Sequence, residues 1–217
     1  MHSSTTHAGA RTLFERARRV LAGHDEPAPP QEGPVDIRFG IDRVLRSTRK
    51  PKATPGTVED AAARAVTAVE GTLVAIDTIN EYLMEALDLT TEALKTSDPA
   101  KRAMIADRYE ELRSNIDTVA AGASFQGVNL IDSGRDALEI KLPAAGEPRH
   151  AISHITLVAG ERGLSIKSPA ELFASEDEID AARQTLIAAR LRLDRATDTF
   201  LNQASMLAPH LGMVEAD

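Results

Sequence analysis

The residues of this 217-residue chain that could bind a metal or move a proton are six histidines and a set of close-spaced carboxylates; cysteine is absent. His2, His7 and His24 lie near the start, His150 and His154 stand four apart in a stretch that reads as loop and strand, and His210 lies in the tail. On a helix, that spacing would bring two ligands to one face. On a strand it separates them by about 13 Å, beyond the reach of one metal. The acidic run SEDEID at 175–180 reads as a helix start, where carboxylates meet the positive end of the helix dipole. No glycine-rich loop leads from a strand into a helix with Lys-Ser or Lys-Thr, so no phosphate cradle is expected. No serine sits in G-x-S-x-G, and the scattered histidines supply no partner for a nucleophile. Without cysteine there are no disulfides, thiolate metal sites or cysteine nucleophiles. The expectation is a chain with no catalytic residues, no cofactor and no metal.

The elements that would hold any site are equally plain in the composition. Tryptophan is absent and aromatics make up 3% of residues, so the core must be built from Ala, Leu, Ile and Val. That favours long helices over a thick globular interior. Net charge is −8, unevenly spread: residues 1–56 carry ten Lys/Arg against six Asp/Glu, whereas residues 57–217 carry fifteen against twenty-seven. Over most of its surface the body would repel phosphate, so no nucleic acid is expected as a partner. No apolar run approaches the roughly eighteen residues of a bilayer span, so membrane insertion is not expected either. A cleaved signal peptide is not legible at the start, which leaves open export by a signal-peptide-independent route or a cytoplasmic location.

Residues 1–56 hold more than half of the prolines, among them the cluster EPAPP at 26–30 and Pro34, Pro51 and Pro55. Two short helical candidates lie between these breaks, RTLFERARRVLAG (11–23) and DIRFGIDRVLRS (36–47). The region reads as a flexible arm, or as segments that fold on a partner.

Thereafter apolar residues recur by threes and fours. Val66, Val69, Leu73, Ile76, Asn80, Leu83, Leu87, Thr90 and Leu94 predict a helix over about 57–96 with a coiled-coil seam. Asn80 falls on that seam, where a polar residue commonly sets register. Asp98-Pro99 marks a new helix start, and Ile105, Tyr109, Leu112, Ile116 and Val119 carry the seam through about 98–121. Between about 125 and 167, ALEIKL (137–142), AISHITLV (151–158) and GLSIK (163–167) read as strands of small β-hairpins. Ser175 with Glu178 forms a capping-box signature. It opens a last helix over about 176–208, with Ile179, Ala182, Leu186, Ala189, Leu193, Ala196, Phe200 and Leu207 on its seam and a short tail at 209–217. The expected fold is mainly α with a small β-hairpin region: an elongated, antiparallel, three-helix, coiled-coil-like bundle.

One stretch is more specific than its neighbours. NIDTVAAGASFQGVNLIDSG (115–134) ends a helix, bends and resumes as a short apolar run. Phe125, Gln126, Gly127, Asn129 and Leu130 are read as a corner, with Phe125 and Leu130 pinning the turn to the bundle and Gly127 permitting the bend.

With the elements in this order the chain resembles bacterial flagellin, in the rod-forming middle domain. Flagellins carry an I-D-x-(I/V)-A phrase followed by F-N-G-x-x-L-(L/I). Here Ile116, Asp117, Val119 and Ala120 are followed by Phe125, Gln126, Gly127, Asn129, Leu130 and Ile131, with Gln126 where asparagine is usual. GTLVAI at 71–76 and the final helix, beginning IDAA at 179–182, extend the resemblance over about residues 57–208. It implies a structural, non-enzymatic role by helix packing in the bacterial flagellum or outside the cell, with other flagellar proteins as partners. Departures point the other way. The flagellin segments that form the inner tube of the filament are not recognisable here, no bulky outer domain is present, and Met84 stands where many flagellins place an arginine needed for toll-like receptor recognition. The resemblance therefore also admits a non-polymerising, cytoplasmic flagellin mimic that binds flagellin, a flagellar chaperone or a regulator. Neither reading sets the oligomeric state.

Overall fold

The computed structural model describes residues 58–140 and 150–211; the arm expected at 1–56 and the end of the tail lie outside the described residues. Three long helices dominate: α1 (Val58–Leu94), α2 (Pro99–Gly122) and α3 (Glu176–Ser205). Two short antiparallel pairs lie between α2 and α3. One is β1 (Ser124–Phe125) with β2 (Val128–Asn129), the other β3 (Leu138–Ile140) with β4 (His150–Ile152). A 3₁₀ turn, Ala208–Leu211, follows α3. At 1.5 Å per residue α1 is about 55 Å long, so the assembly is elongated.

The turn between α1 and α2 is built from local chemistry. The Asp98 carboxylate accepts from Ala100 N at 3.0 Å, and Pro99 occupies the first helical position, where its missing N–H costs nothing. Arg102 locks the turn by donating from Nε to Thr96 O at 2.8 Å and from Nη1 to Ala174 O at 3.0 Å. Both helix starts therefore sit at the same end of the rod, with α2 and α3 each antiparallel to α1.

α1 is the central member: α2 and α3 pack against it on two sides, while direct packing between α2 and α3 is slight. A helix with two neighbours needs a broader apolar face than a two-stranded seam. The buried line of α1 runs through Val69, Thr72, Ile76, Ile79, Leu83, Ala86, Thr90 and Ala93. Relative to the expected seam, every second position is displaced by one residue. Ile79, fully buried, takes the place expected for Asn80, which is half-buried; Leu73 and Leu87 likewise pack on the flank of the core. The two buried threonines satisfy their hydroxyls within the helix, Thr72 on Ala68 O and Thr90 on Leu87 O. On α2, Leu112 and Ile116 are buried; on α3, Ile179, Leu186, Leu193 and Phe200 are.

Two expectations at α3 are corrected. Ser175 Oγ accepts from Glu178 N at 3.2 Å, but the Glu178 carboxylate does not return to the cap: Oε1 accepts from Glu171 N at 2.7 Å. The capping box is thus opened into a tie on the preceding segment. The α-helix also ends at Ser205, with Leu207 and Leu211 burying themselves from the turn and the 3₁₀ helix that follow.

The larger correction concerns residues 153–174. AISHITLV contributes only its first two residues to β4, and GLSIK forms no strand. The segment folds back on itself through Leu164 N to Val158 O (2.7 Å) and Ile166 N to Ala159 O (2.8 Å), and it lies between α2 and α3. Further backbone groups of the segment are satisfied by helix side chains. Ala159 N donates to Asp117 Oδ1, Lys167 N to Thr185 Oγ1, and Lys167 O accepts from Tyr109 Oη; Arg192 Nη1 donates to Gly163 O. Leu157, Leu164, Ile166 and Phe173 fill the space that a direct α2–α3 contact would occupy. Buried backbone groups must find partners, and here the helices supply them. We refer to this stretch as the strap.

Candidate functional site

The turn residues singled out by sequence, Phe125, Gln126, Gly127, Asn129 and Leu130, form the corner where α2 ends, and the seam residues lie along the helices. The β1–β2 connection is a two-residue turn with Gln126 at φ 50° and Gly127 at φ 85°. Two consecutive positive φ values define the type I′ hairpin, whose twist matches that of the paired strands. A Cβ at Gly127 would meet no atom within 4 Å, so glycine is required there by backbone conformation alone. Gln126 has no such licence and adopts a conformation that asparagine tolerates better.

Asn129 organises the corner. Its side chain is buried, and both ends of its amide are fully used: Nδ2 donates to Ala120 O (2.7 Å) and Ala121 O (3.2 Å), while Oδ1 accepts from Ile131 N (2.9 Å) and Asp132 N (3.0 Å). The donors close the last turn of α2, whose carbonyls have no partner within the helix. The acceptor turns the chain into the apolar run. Leu130 and Ile131, both buried, then anchor it, and Ile155 N and Leu157 N of the strap bond to their carbonyls at 2.9 and 2.8 Å. Phe125, expected as a pin, is half-buried; the deep anchors are Leu130 and Ile131.

His154 completes the same cluster. Its Nδ1 lies 3.3 Å from Asn129 O, and its Nε2 lies 3.1 Å from Asp132 O and 3.2 Å from Thr156 Oγ1. The imidazole bridges backbone carbonyls of the corner to the strap. Among the described residues no carboxylate hydrogen-bonds to the ring. The arrangement positions backbone.

In the sequence His150 and His210 stand 60 residues apart. Folding brings their rings to a centroid separation of 5.8 Å at 57°, linking β4 to the 3₁₀ turn after α3. Among the described residues no three His, Asp or Glu side chains are grouped for a metal, and no helix is long and apolar enough to cross a membrane.

A second node fastens the strap's far end. Tyr109 is fully buried on α2, packs edge-on against Phe173 at 5.3 Å, and donates its hydroxyl to Lys167 O at 3.0 Å. Burial raises the phenol well above its usual range. Ser165, Leu172 and Phe173 all have positive φ, so the strap reaches its seats through strained backbone. At Gly163 a Cβ would come within 2.1 Å of Val158 O, so the fold-back admits only glycine. The periodicity that marks a helix is blind to this node, because its partners are backbone groups 58 and 72 residues away.

At the α1–α2 turn an open groove is lined by Leu89, Lys95, Lys101, Met104, Ile105 and Arg108. Arg108 is held there by Glu85 and Glu111, each at 2.8 Å.

The chain's fold is that of flagellin. The crystal structure of Bacillus cereus flagellin is similar to it with a TM-score of 0.62 and 19% sequence identity, covering 76% of this chain and 96% of that one. No family model matches the chain, and no curated protein does.

Proposed function

We propose that this protein is a flagellin-like structural component of the bacterial flagellum, a minor or divergent subunit of the filament or its junctions, acting by helix packing without chemistry of its own. The observation that carries this reading is the extent of the shared fold: 96% of the solved flagellin chain and 76% of this chain are matched. The corner supports it, because its hydrogen bonds fix the path of the backbone. In this reading the protein reaches the flagellum or the exterior by an export route without a cleaved signal, and its partners are other flagellar proteins.

A second reading is favoured by one sequence feature. The prolines of residues 1–56 fall at positions that interrupt any long helix leading into α1. A rod preceded by such a segment suits a non-polymerising flagellin mimic in the cytoplasm, bound to flagellin, its chaperone or a regulator. Fractionation of the native bacterium separates the two. Copurification with sheared filaments supports the structural component; retention in the cytosol, bound to flagellin or a chaperone, refutes it in favour of the mimic.

A further inference from the structure

Folding sets two histidines side by side near the end of α3 and leaves both without hydrogen-bond partners. The rings of His150, in β4, and His210, in the 3₁₀ turn after α3, have centres 5.8 Å apart and are tilted by 57°, which is not the geometry of stacked rings. Both residues are half-buried. Among the described residues no ring nitrogen of either is taken by a hydrogen bond or an ion pair. His154 differs, because both of its nitrogens are committed to the corner and to Thr156.

The pair stands on fixed backbone. His210 lies between the buried anchors Leu207 and Leu211, and its N–H donates to Leu207 O at 3.0 Å. His150 pairs with Ile140 across the β3–β4 ladder, next to Ala151 and buried Ile152, and Ser153 N is tied to Gln203 Oε1 of α3 at 3.1 Å. Ligands placed in this way by the surrounding fold lose little freedom when they close around an ion.

Imidazole suits zinc, copper and nickel among the divalent metals. An ion about 2.0–2.1 Å from one nitrogen of each ring lies about 3.2 Å from each ring centre, so two imidazoles on a tetrahedral ion have centres roughly 5.2 Å apart. The observed 5.8 Å is slightly wider, and a small rotation of either side chain closes the difference. Among the described residues no third His, Asp or Glu joins the pair, so the other positions of the ion fall to water.

We propose that His150 and His210 bind one divalent transition-metal ion of the zinc class, as a two-imidazole clamp that joins the β3–β4 hairpin to the turn after α3. Because that turn also packs against α1, the ion fastens three elements of the rod together. Two protein ligands hold an ion less tightly than the four of a structural zinc site, so the clamp fills and empties with the metal available. Binding to the folded chain alone raises its resistance to unfolding.

The test uses the full-length chain with His2, His7 and His24 changed to asparagine, which removes the histidines near the start as competing ligands. Calorimetric titration with zinc sulfate should show one ion per chain, and zinc should raise the melting temperature. Adding either His150→Asn or His210→Asn should weaken binding by more than about tenfold, the loss expected when even a supporting group is taken from a metal site. The thermal shift should vanish with it, while circular dichroism without zinc checks that the variants fold alike. In nuclear magnetic resonance spectra zinc should move the ring signals of His150 and His210 together and leave those of His154 in place, a readout that needs neither variant. Absence of binding in the three-asparagine chain overturns the proposal, as does binding that survives either substitution. One ion per two chains also overturns it, because the metal then bridges copies.

Discussion

Replacing Asn129 tests the corner at its most connected point. Asn129→Ala removes all four hydrogen bonds of the amide; of the groups it abandons, Ile131 N is left without a partner in a fully buried residue, whereas Ala120 O keeps the N–H of Ala123 at 3.4 Å. Each buried group left without a partner costs about 1–3 kcal/mol, while the more exposed carbonyl of Ala121 and N–H of Asp132 can turn to water. The expected loss is therefore roughly 1–3 kcal/mol, a substantial part of the stability of an ordinary domain. Asn129→Asp is sharper, because it preserves shape. Its carboxylate still accepts from Ile131 N and Asp132 N, but it faces Ala120 O and Ala121 O without a proton to offer. Repulsion from those carbonyls favours the neutral acid in the folded state, so the folded pKa lies above the unfolded value of about 3.9. Stability contributed by that proton is complete below the unfolded pKa and lost as pH rises through the folded one. Urea unfolding followed by far-ultraviolet circular dichroism, for wild type and both variants at pH 7 and near pH 4, provides the measurement. Asn129→Asp should show a deficit against wild type at pH 7 that narrows on acidification, and Asn129→Ala a deficit that does not. If both variants unfold like wild type, or if the aspartate deficit is independent of pH, the assigned amide network is wrong.

Other outcomes follow from particular backbone and packing features. Gly127→Ala should destabilise by about 1–2 kcal/mol and Gln126→Asn should stabilise by a smaller amount, both through left-handed conformation; opposite shifts in melting temperature are the signature. Leu193→Ala should cost about 2–5 kcal/mol, the range for a buried leucine, and Leu73→Ala distinctly less because Leu73 sits half-buried on the flank of α1. Equal costs in denaturant melts would contradict the placement of the α1 stripe. Because the folded Tyr109 phenol is held above its ordinary value, the unfolded chain loses that proton first, and stability should decline as pH rises beyond about 10. Tyr109→Phe should flatten this alkaline limb while losing about 1 kcal/mol at neutral pH with the bond to Lys167 O; an unchanged limb would place the titration elsewhere.

Sequence periodicity reports which residues share a face, and for α3 that was nearly the whole answer: Ile179, Leu186, Leu193 and Phe200 repeat every seven residues and lie in the core. Helix starts were legible for a local reason, since Asp98-Pro99 and Ser175 cap backbone groups within three residues of themselves. On α1 the same periodicity admits two adjacent stripes. Only the presence of a neighbour on each side selects Ile79 over Asn80 for the deepest position.

The strap was illegible for a deeper reason. Apolar runs such as AISHITLV and GLSIK have the composition of strands, and a strand needs a partner edge. In the folded chain Asp117, Thr185, Tyr109, Arg102 and Arg192 offer hydrogen bonds to the strap's backbone, so the segment is seated without a ladder. Gln126-Gly127 identified a turn, but the use of Asn129 to close α2 depended on the return of the chain past Ala120. The sequence by itself determined three amphipathic helices, their order and the corner between them, because those rest on contacts within a few residues. The tertiary structure alone decided that α1 is central and that α2 and α3 are separated by the strap, because unpaired backbone groups are satisfied by whichever side chains folding brings within reach.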